Sequence, residues 1–177
     1  MNNRNGNIIN INEPQINFEN CKFVMLDTCS IIQLALDNEE SVNFATEAAE
    51  NNVTLCYSLK TLEELQILSE SQNIPKDKRQ ANPNMNFFIN KSQEQAERIL
   101  NKIHKLPNMY NEPIGTLNYE VYSKARENQK EFNLRWGDAV IYTMAKNSDI
   151  DGIMTFDGDF RNVRNNITIF KGNKKKK

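Results

Sequence analysis

The chain has 177 residues and no internal repeat, so we expect one globular domain with a substantial core. Its formal net charge is −1, but five of its 22 basic residues are lysines in the last seven positions, which leaves 17 basic against 23 acidic residues elsewhere. Such an acidic body excludes binding of nucleic acid through a basic surface alone. We divide the chain into a polar, asparagine-rich leader, a single domain and a basic tail, at residues 1–20, 21–171 and 172–177. The lysine run is expected to be solvated, with weak phosphate contacts as the alternative.

The first part of the predicted domain alternates short apolar strands with helices. Two strands are predicted over residues 22–27 and 53–57, because both are short apolar runs typical of buried parallel strands. Helices are predicted over 30–36 and 39–51. A third helix should begin after Ser58 as its N-cap, with leucines recurring at about one turn from Leu59 to Leu68.

The second part begins with a polar stretch, residues 71–90, which we interpret as a long loop. Within it, the apolar triplet that starts at Phe87 indicates either a partner contact or packing beneath the loop. Ser92 and Gln95 match a capping box at the start of an amphipathic helix. Two helices and two strands complete the prediction, over residues 117–132, 136–145, 152–155 and 167–170. This order indicates the α/β class, as a three-layer α/β/α sandwich on a short parallel sheet.

Cysteine and histidine usage narrows the chemistry. The three cysteines, Cys21, Cys29 and Cys56, are odd in number and lack Cys-x-x-Cys spacing, which argues against a disulfide framework and a structural zinc site. His104 is the only histidine, which excludes paired-histidine nucleases and most nucleophilic triads. With no secretory signal and no run long enough to cross a membrane, we expect a cytoplasmic protein with no membrane association.

Four acidic residues stand out by position: Asp27, Glu64, Asp138 and Asp157. In open α/β folds the site lies beyond the carboxyl ends of the strands. Asp27 and Asp157 follow the first and third predicted strands, and Glu64 lies on the helix that leaves the second. Acids from distant stretches are therefore expected to meet at one edge of the sheet.

Each acid also has a purely structural explanation. Asp27 is a suitable helix cap, Glu64 fits a capping box and has a rival in its neighbour Glu63, and Asp157 lies in a sequence that any tight turn favours. Asp138 opens an almost wholly apolar helix, where a dipole interaction of about 0.3–1 kcal/mol is too weak to offset burial of a carboxylate. Each acid taken singly is therefore ambiguous.

The four acids together are more informative. Carboxylates held close to one another repel and raise each other's pKa, so a cluster needs a cation to neutralise it. Oxygen ligands without histidine or cysteine favour Mg²⁺ or Mn²⁺ over zinc. Hard cations held by a few carboxylates suit phosphoryl chemistry.

Taken in chain order, four short motifs carry a family resemblance: Val24-Met-Leu-Asp27-Thr28-Cys29, Ser58-Leu-Lys-Thr61-Leu-Glu-Glu64-Leu65, Trp136-Gly-Asp138-Ala139 and Thr155-Phe-Asp157-Gly-Asp159-Phe160. From about residue 22 to residue 170, the chain resembles the PIN-domain nucleases. It is most similar to the VapC-type ribonuclease toxins of toxin–antitoxin pairs.

The resemblance implies that Asp27, Glu64, Asp138 and Asp157 are the catalytic acids and the metal ligands. Asp159 ranks below them, because members of the family vary at that position.

The same resemblance implies supporting roles for three hydroxyl residues. Thr155 would hold the last loop, and Thr28 or Ser30 would orient Asp27. Cys29 departs from many relatives, which carry Ser or Asn, and the change costs a possible polar contact.

The function that the resemblance implies is a Mg²⁺- or Mn²⁺-dependent endoribonuclease that leaves 5′-phosphate ends. Its partners would be an RNA substrate, a cognate antitoxin protein and a second copy in a homodimer. The alternatives are a PIN nuclease of RNA processing and a PIN-like RNA-binding or interaction module without catalysis. The intact acids disfavour the inactive module.

Overall fold

The computed structural model describes residues 7–74 and 85–173. Within them are five strands, β1 (Ile8–Asn10), β2 (Phe23–Leu26), β3 (Thr54–Tyr57), β4 (Gly152–Thr155) and β5 (Thr168–Lys171). Six helices connect them: α1 (Thr28–Ala35), α2 (Glu39–Glu50), α3 (Leu59–Asn73), α4 (Met85–Ile103), α5 (Tyr119–Phe132) and α6 (Trp136–Asn147). A short 3₁₀ helix, Asp159–Val163, precedes β5.

Side chains of the expected types begin most of these helices. Asp27, Asn38, Ser58 and Asn118 each cap a helix by accepting a backbone N–H three residues further along. Each cap satisfies a donor that the first turn of a helix leaves free. The predicted cap at Ser58 is among them.

The strands form one parallel sheet in the order β1-β5-β4-β2-β3. In the centre of the sheet, Met25 lies opposite Cys56 on one side and Ile153 on the other. Because every strand runs in the same direction, all five carboxyl ends open at one edge, which we call the carboxyl edge.

Two apolar clusters cover the two faces of the sheet. Val24 and Leu26 point into a cluster with residues of α1, α2 and α4, while Met25 between them points into a cluster with residues of α5 and α6. The alternation follows from the two-residue period of a strand. The predicted α/β sandwich with a parallel central sheet is therefore confirmed.

The leader boundary at residue 21 is corrected by the structure. β1 pairs with β5, and Ile11, Ile16 and Phe18 are buried, with the Phe18 ring 5.2 Å from the ring of Phe170. Residues 8–18 thus belong to the folded domain, and in the described part of the chain the sheet has five strands where the sequence predicted four. In the basic tail, residues 174–177 lie outside the described part of the chain.

The predicted loop over residues 71–90 is also corrected in part. α3 continues to Asn73 and α4 begins at Met85, while residues 75–84 lie outside the described part. Ser92 is inside α4, where its hydroxyl donates to the carbonyl of Phe88, so it does not cap the helix. Phe87 is 67% exposed, whereas Phe88 is partly buried beside it.

The leucine face predicted for α3 is only partly right. Leu65 is buried, but Leu59 and Leu68 at its two ends are exposed. Across residues 7–74 and 85–173, none of the helices combines the length and the apolar character needed to cross a membrane.

Candidate functional site

Asp27 lies at the carboxyl edge, directly after β2, and only 4% of its surface is exposed. Its carboxylate accepts hydrogen bonds from the backbone N–H of Ser30 at 2.8 Å and from the hydroxyl of Thr155. The thiol of Cys29 lies 3.0 and 3.2 Å from its two oxygens. Burial raises the pKa of Asp27, and these hydrogen bonds partly offset the rise.

Thr155 connects two of the acids. It ends β4, and its hydroxyl donates to Asp27 while accepting the backbone N–H of Asp157 at 2.8 Å. The loop after β4 is thereby tied to the end of β2, its neighbour in the sheet.

Asp138 occupies the first turn of α6 and is partly buried. Its pKa is raised to about 7, first because burial disfavours the charged form, and then because Asp157, Asp27, Asp159 and Glu64 add their repulsion, in that order. All the acids singled out in the sequence therefore act on one carboxylate.

Glu64 approaches the same place from α3. Its Oε2 atom accepts the hydroxyl of Thr28 at 2.7 Å. Its Oε1 atom lies so close to Gly137 that a Cβ there would overlap it. Glu63, the rival candidate, is more exposed and pairs with Lys60 at 2.9 Å. The structure thus places Glu64, and not Glu63, next to the start of α6.

Gly137 and Arg135 were missed in the sequence. Gly137 matters because it leaves room for the carboxylate of Glu64, and its only signal was a glycine directly before Asp138. Arg135 lies with its Nε atom 2.8 Å from Asp159 and a terminal nitrogen 3.8 Å from Asp157. Its guanidinium offsets part of the negative charge on that side of the acid cluster.

Two side chains near Asp27, those of Thr28 and Ser30, make contacts beyond the expected ones. The hydroxyl of Thr28 contacts Glu64 and not Asp27, and the hydroxyl of Ser30 donates to the carbonyl of Met154. Ser30 donates its backbone N–H to Asp27, and its hydroxyl also helps to lower the pKa of that carboxyl.

Cys29 does not lose the polar contact that we expected it to lose. Burial and the charge of Asp27 raise the pKa of its thiol strongly, so the thiol stays protonated and donates. The backbone N–H of Phe156 in turn donates to the sulfur at 3.2 Å.

The donor chemistry at the carboxyl edge fits a hard divalent cation, because all five acids offer only carboxylate oxygens. Within the described ranges no ion pair involves Asp27, Glu64 or Asp138. A cation would lower the raised pKa of Asp27 and Asp138. Within the described residues, no three histidine, cysteine, aspartate or glutamate side chains are arranged so that they could hold a metal ion.

The protein is an α/β domain with a parallel sheet whose carboxyl edge carries a group of acidic side chains. The model of the PIN domain matches residues 24–166, and the chain belongs to this family. The predicted membership in the PIN-domain nuclease family is therefore confirmed.

Several solved structures are similar to this chain. VapBC2 from Rickettsia felis, bound to a DNA fragment from its promoter, has a TM-score of 0.57 at 18% identity, over 84% of this chain and 98% of that chain. A toxin–antitoxin complex from Klebsiella pneumoniae has a TM-score of 0.48 at 17% identity, over 77% and 89% of the two chains. FitAcB from Neisseria gonorrhoeae has a TM-score of 0.46 at 20% identity, over 83% and 96%. Identities this low show the fold alone. No curated protein is similar enough to count as a match.

Proposed function

We propose that the protein is an endoribonuclease that cleaves RNA phosphodiester bonds with Mg²⁺ or Mn²⁺, and that it is the toxin of a toxin–antitoxin pair. The observation that carries this proposal is the raised pKa of Asp138, about 7, which is caused first by burial and then by repulsion from four neighbouring carboxylates. Repulsion of this kind destabilises the folded chain. A ligand that neutralises the carboxylates gives a reason for keeping them together. PIN nucleases generally use divalent metal ions, which supports the assignment.

In this proposal Asp27, Asp138 and Asp157 hold the ion, and Glu64 completes the set or positions a water molecule. Asp159 is the less certain ligand, because Arg135 already contacts it closely. When bound, the ion would supply an activated water and neutralise charge on the scissile phosphate.

The remaining side chains position the donors. Thr155 fixes Asp27 relative to the loop of Asp157, and Thr28 fixes the carboxylate of Glu64. Because these positioning groups are hydroxyls, they orient carboxylates without adding charge.

The decisive experiment incubates purified protein with total RNA in Mn²⁺, in Mg²⁺ and in EDTA, and then maps the new RNA ends. We expect cleavage with either metal, 5′-phosphate ends and no cleavage in EDTA. Asp138→Asn should lower the rate by at least about a hundredfold, since it removes a carboxylate from the reacting centre. Unchanged metal-dependent cleavage by Asp138→Asn would show that the proposed ligand set is wrong.

Glu120→Gln provides the matched control. Glu120 is an acid in the first turn of α5, as Asp138 is in α6, but it is exposed. The Glu120→Gln variant should cleave RNA at the rate of the unmodified protein. Equal losses in both variants would point to general damage rather than to loss of a ligand.

Two further measurements separate toxin from the alternatives. Expression should arrest growth only while Asp27 and Asp138 are intact, whereas cleavage without growth arrest would favour a PIN nuclease of RNA processing. RNA binding without cleavage in any metal would favour an inactive binding module.

The partner proposed by analogy with the VapBC2 complex is an antitoxin, sought as a small DNA-binding protein encoded by an adjacent gene. The proposed homodimer is tested by light scattering.

A further inference from the structure

Helix α5 carries aromatic side chains that the core does not use. Tyr119 is 83% exposed and Tyr122 is 43% exposed. The Tyr122 ring packs edge-on against the partly exposed ring of Trp136, with 5.1 Å between centroids. The guanidinium carbon of Arg126 lies 6.0 Å from the centroid of Tyr122. We call Tyr119, Tyr122, Arg126 and Trp136 the aromatic face.

Helical geometry separates this face from the acidic side chains of α5. At about 100° per residue, Tyr119, Tyr122 and Arg126 fall within about 60° of arc. On the same scale Glu120 and Glu127 lie about 80–100° from Tyr119, on the side away from Tyr122. The exposed rings are therefore accompanied by a cation, although the body of the chain is acidic overall.

The aromatic face and the acid cluster each take one residue from the first turn of α6. Trp136 is the first residue of α6 and Asp138 is the third, so the ring and the carboxylate leave opposite sides of the same first turn. Arg135, just before Trp136, contacts Asp159. The backbone before α5 also runs past the carboxyl edge, since Ile114 lies beside Ser58 at the end of β3.

This combination fits an unpaired nucleic acid strand better than a protein. Unpaired bases expose flat faces that stack on aromatic rings and on guanidinium planes, while arginines neutralise the phosphates. A duplex hides those base faces inside its stack. Tyrosine, tryptophan and arginine are also enriched in protein interfaces, so composition alone does not decide between the two partners. The position of Trp136, in the same helical turn as Asp138, favours the substrate of the acid cluster.

We propose that the aromatic face is a subsite for the unpaired bases of RNA nucleotides next to the phosphate that the acid cluster cleaves. The proposal rests on the proposed nuclease function, and it assigns Tyr119, Tyr122 and Trp136 to substrate binding. Arg126 and Arg135 contact the phosphates that flank those bases.

Trp136 is the only tryptophan, so its fluorescence reports on the aromatic face alone. The unmodified protein is titrated in EDTA, which prevents cleavage, with an oligouridylate of about ten nucleotides. Two other probes are used for comparison. One is the duplex that the same strand forms with oligoadenylate, and the other is inorganic phosphate. We expect saturable quenching by the unpaired strand and much weaker quenching by the duplex and by phosphate.

Variants test whether the rings carry the binding. Tyr119→Ala and Tyr122→Ala should each weaken binding by at least about fivefold, and Tyr122→Phe should stay within about twofold of the unmodified protein because it keeps the ring. Tyr119 is so exposed that its removal leaves folding intact. Tyr110→Ala is the matched control, with 49% exposure but a position beside the start of β3, away from the carboxyl edge, and should bind normally.

The outcomes distinguish this proposal from the nuclease assignment. Metal-dependent cleavage without quenching, or with quenching that the two alanine variants leave unchanged, would overturn the aromatic face as a subsite and leave the nuclease standing. Ring-dependent quenching without cleavage in any metal would support the subsite and refute the nuclease. Equal quenching by duplex and single strand would overturn the preference for unpaired RNA. Loss of antitoxin binding in Tyr122→Ala, with oligouridylate binding unchanged, would assign the face to a protein partner instead.

Discussion

Asp138→Asn should stabilise the metal-free protein at alkaline pH. The pKa of Asp138 is raised from 3.8 to about 7, so the folded protein holds this proton more tightly than the unfolded chain does. Stability contributed by the proton is present below pH 4 and is lost as pH rises toward 7, because the folded state then binds more protons than the unfolded state. Above pH 7 the charged carboxylate carries the full cost of its burial and of repulsion by its neighbours, and asparagine removes both.

The size of the effect follows from the shift. About three pK units correspond to about 4 kcal/mol at 1.36 kcal/mol per unit. The carboxylate is only partly buried, so solvent screening reduces the figure to about 1–2 kcal/mol. Loss of a first-turn acid costs about 0.3–1 kcal/mol, which leaves a net gain of about 1 kcal/mol, or about 2–4 °C in Tm for a chain of this size.

Urea denaturation in EDTA at pH 5 and at pH 8 measures this difference, with the m-value checked for constancy. The free energy of unfolding of Asp138→Asn should exceed that of the unmodified protein, and the difference should be clearly larger at pH 8 than at pH 5. Mn²⁺ should stabilise the unmodified protein and have little effect on the variant. Glu120→Gln, the exposed first-turn control, should show no such pH dependence. A variant that is less stable at pH 8, or equally shifted at both pH values, would refute a raised pKa of Asp138 caused by burial and repulsion.

Three further predictions concern the same site. Gly137→Ala places a methyl group against Glu64 and should lower Mn²⁺-dependent cleavage at least about tenfold, whereas Gly158→Ala, whose added Cβ meets no atom within 4 Å, should cleave normally. Cys29→Ala removes a donor to a buried carboxylate and should cost about 1–3 kcal/mol in urea denaturation, while Cys29→Ser should recover most of that loss. Because a proton and a metal ion compete for Asp138, Mn²⁺ affinity measured by calorimetry should fall about tenfold per pH unit below pH 7 and level off above it; a flat profile would contradict its role as a ligand.

Strands buried at the centre of the sheet were the easiest elements to predict. Gly152–Thr155 forms β4 with the predicted bounds, because a four-residue apolar run flanked by turn residues has few alternatives. β1 was missed for the opposite reason: it is three residues long, it lies among asparagines, and its partner β5 is far away in the sequence. The pairing of a short edge strand with a strand distant in the sequence produces no recognisable pattern in the residues around it.

The acids could be located from the sequence, but their surroundings could not. Spacing placed Asp27 and Asp157 at strand ends, yet periodicity did not separate Glu64 from Glu63. The separation depends on Lys60, which pairs with Glu63, and on the gap at Gly137 that admits Glu64. Both are contacts in three dimensions, so a pattern along the chain does not contain them.

The cap at Asp27 and a functional role for Asp27 do not compete. Its Oδ1 atom accepts the N–H of Ser30, and its Oδ2 atom accepts the hydroxyl of Thr155. A cap of this kind is worth about 1 kcal/mol, but asparagine or serine would provide it equally well without a charge. The charge therefore adds only the cost of burial, which the raised pKa of Asp27 records. Capping explains the position of the side chain but not its negative charge, and the proposed divalent cation would give that charge a partner that an uncharged cap would not bind.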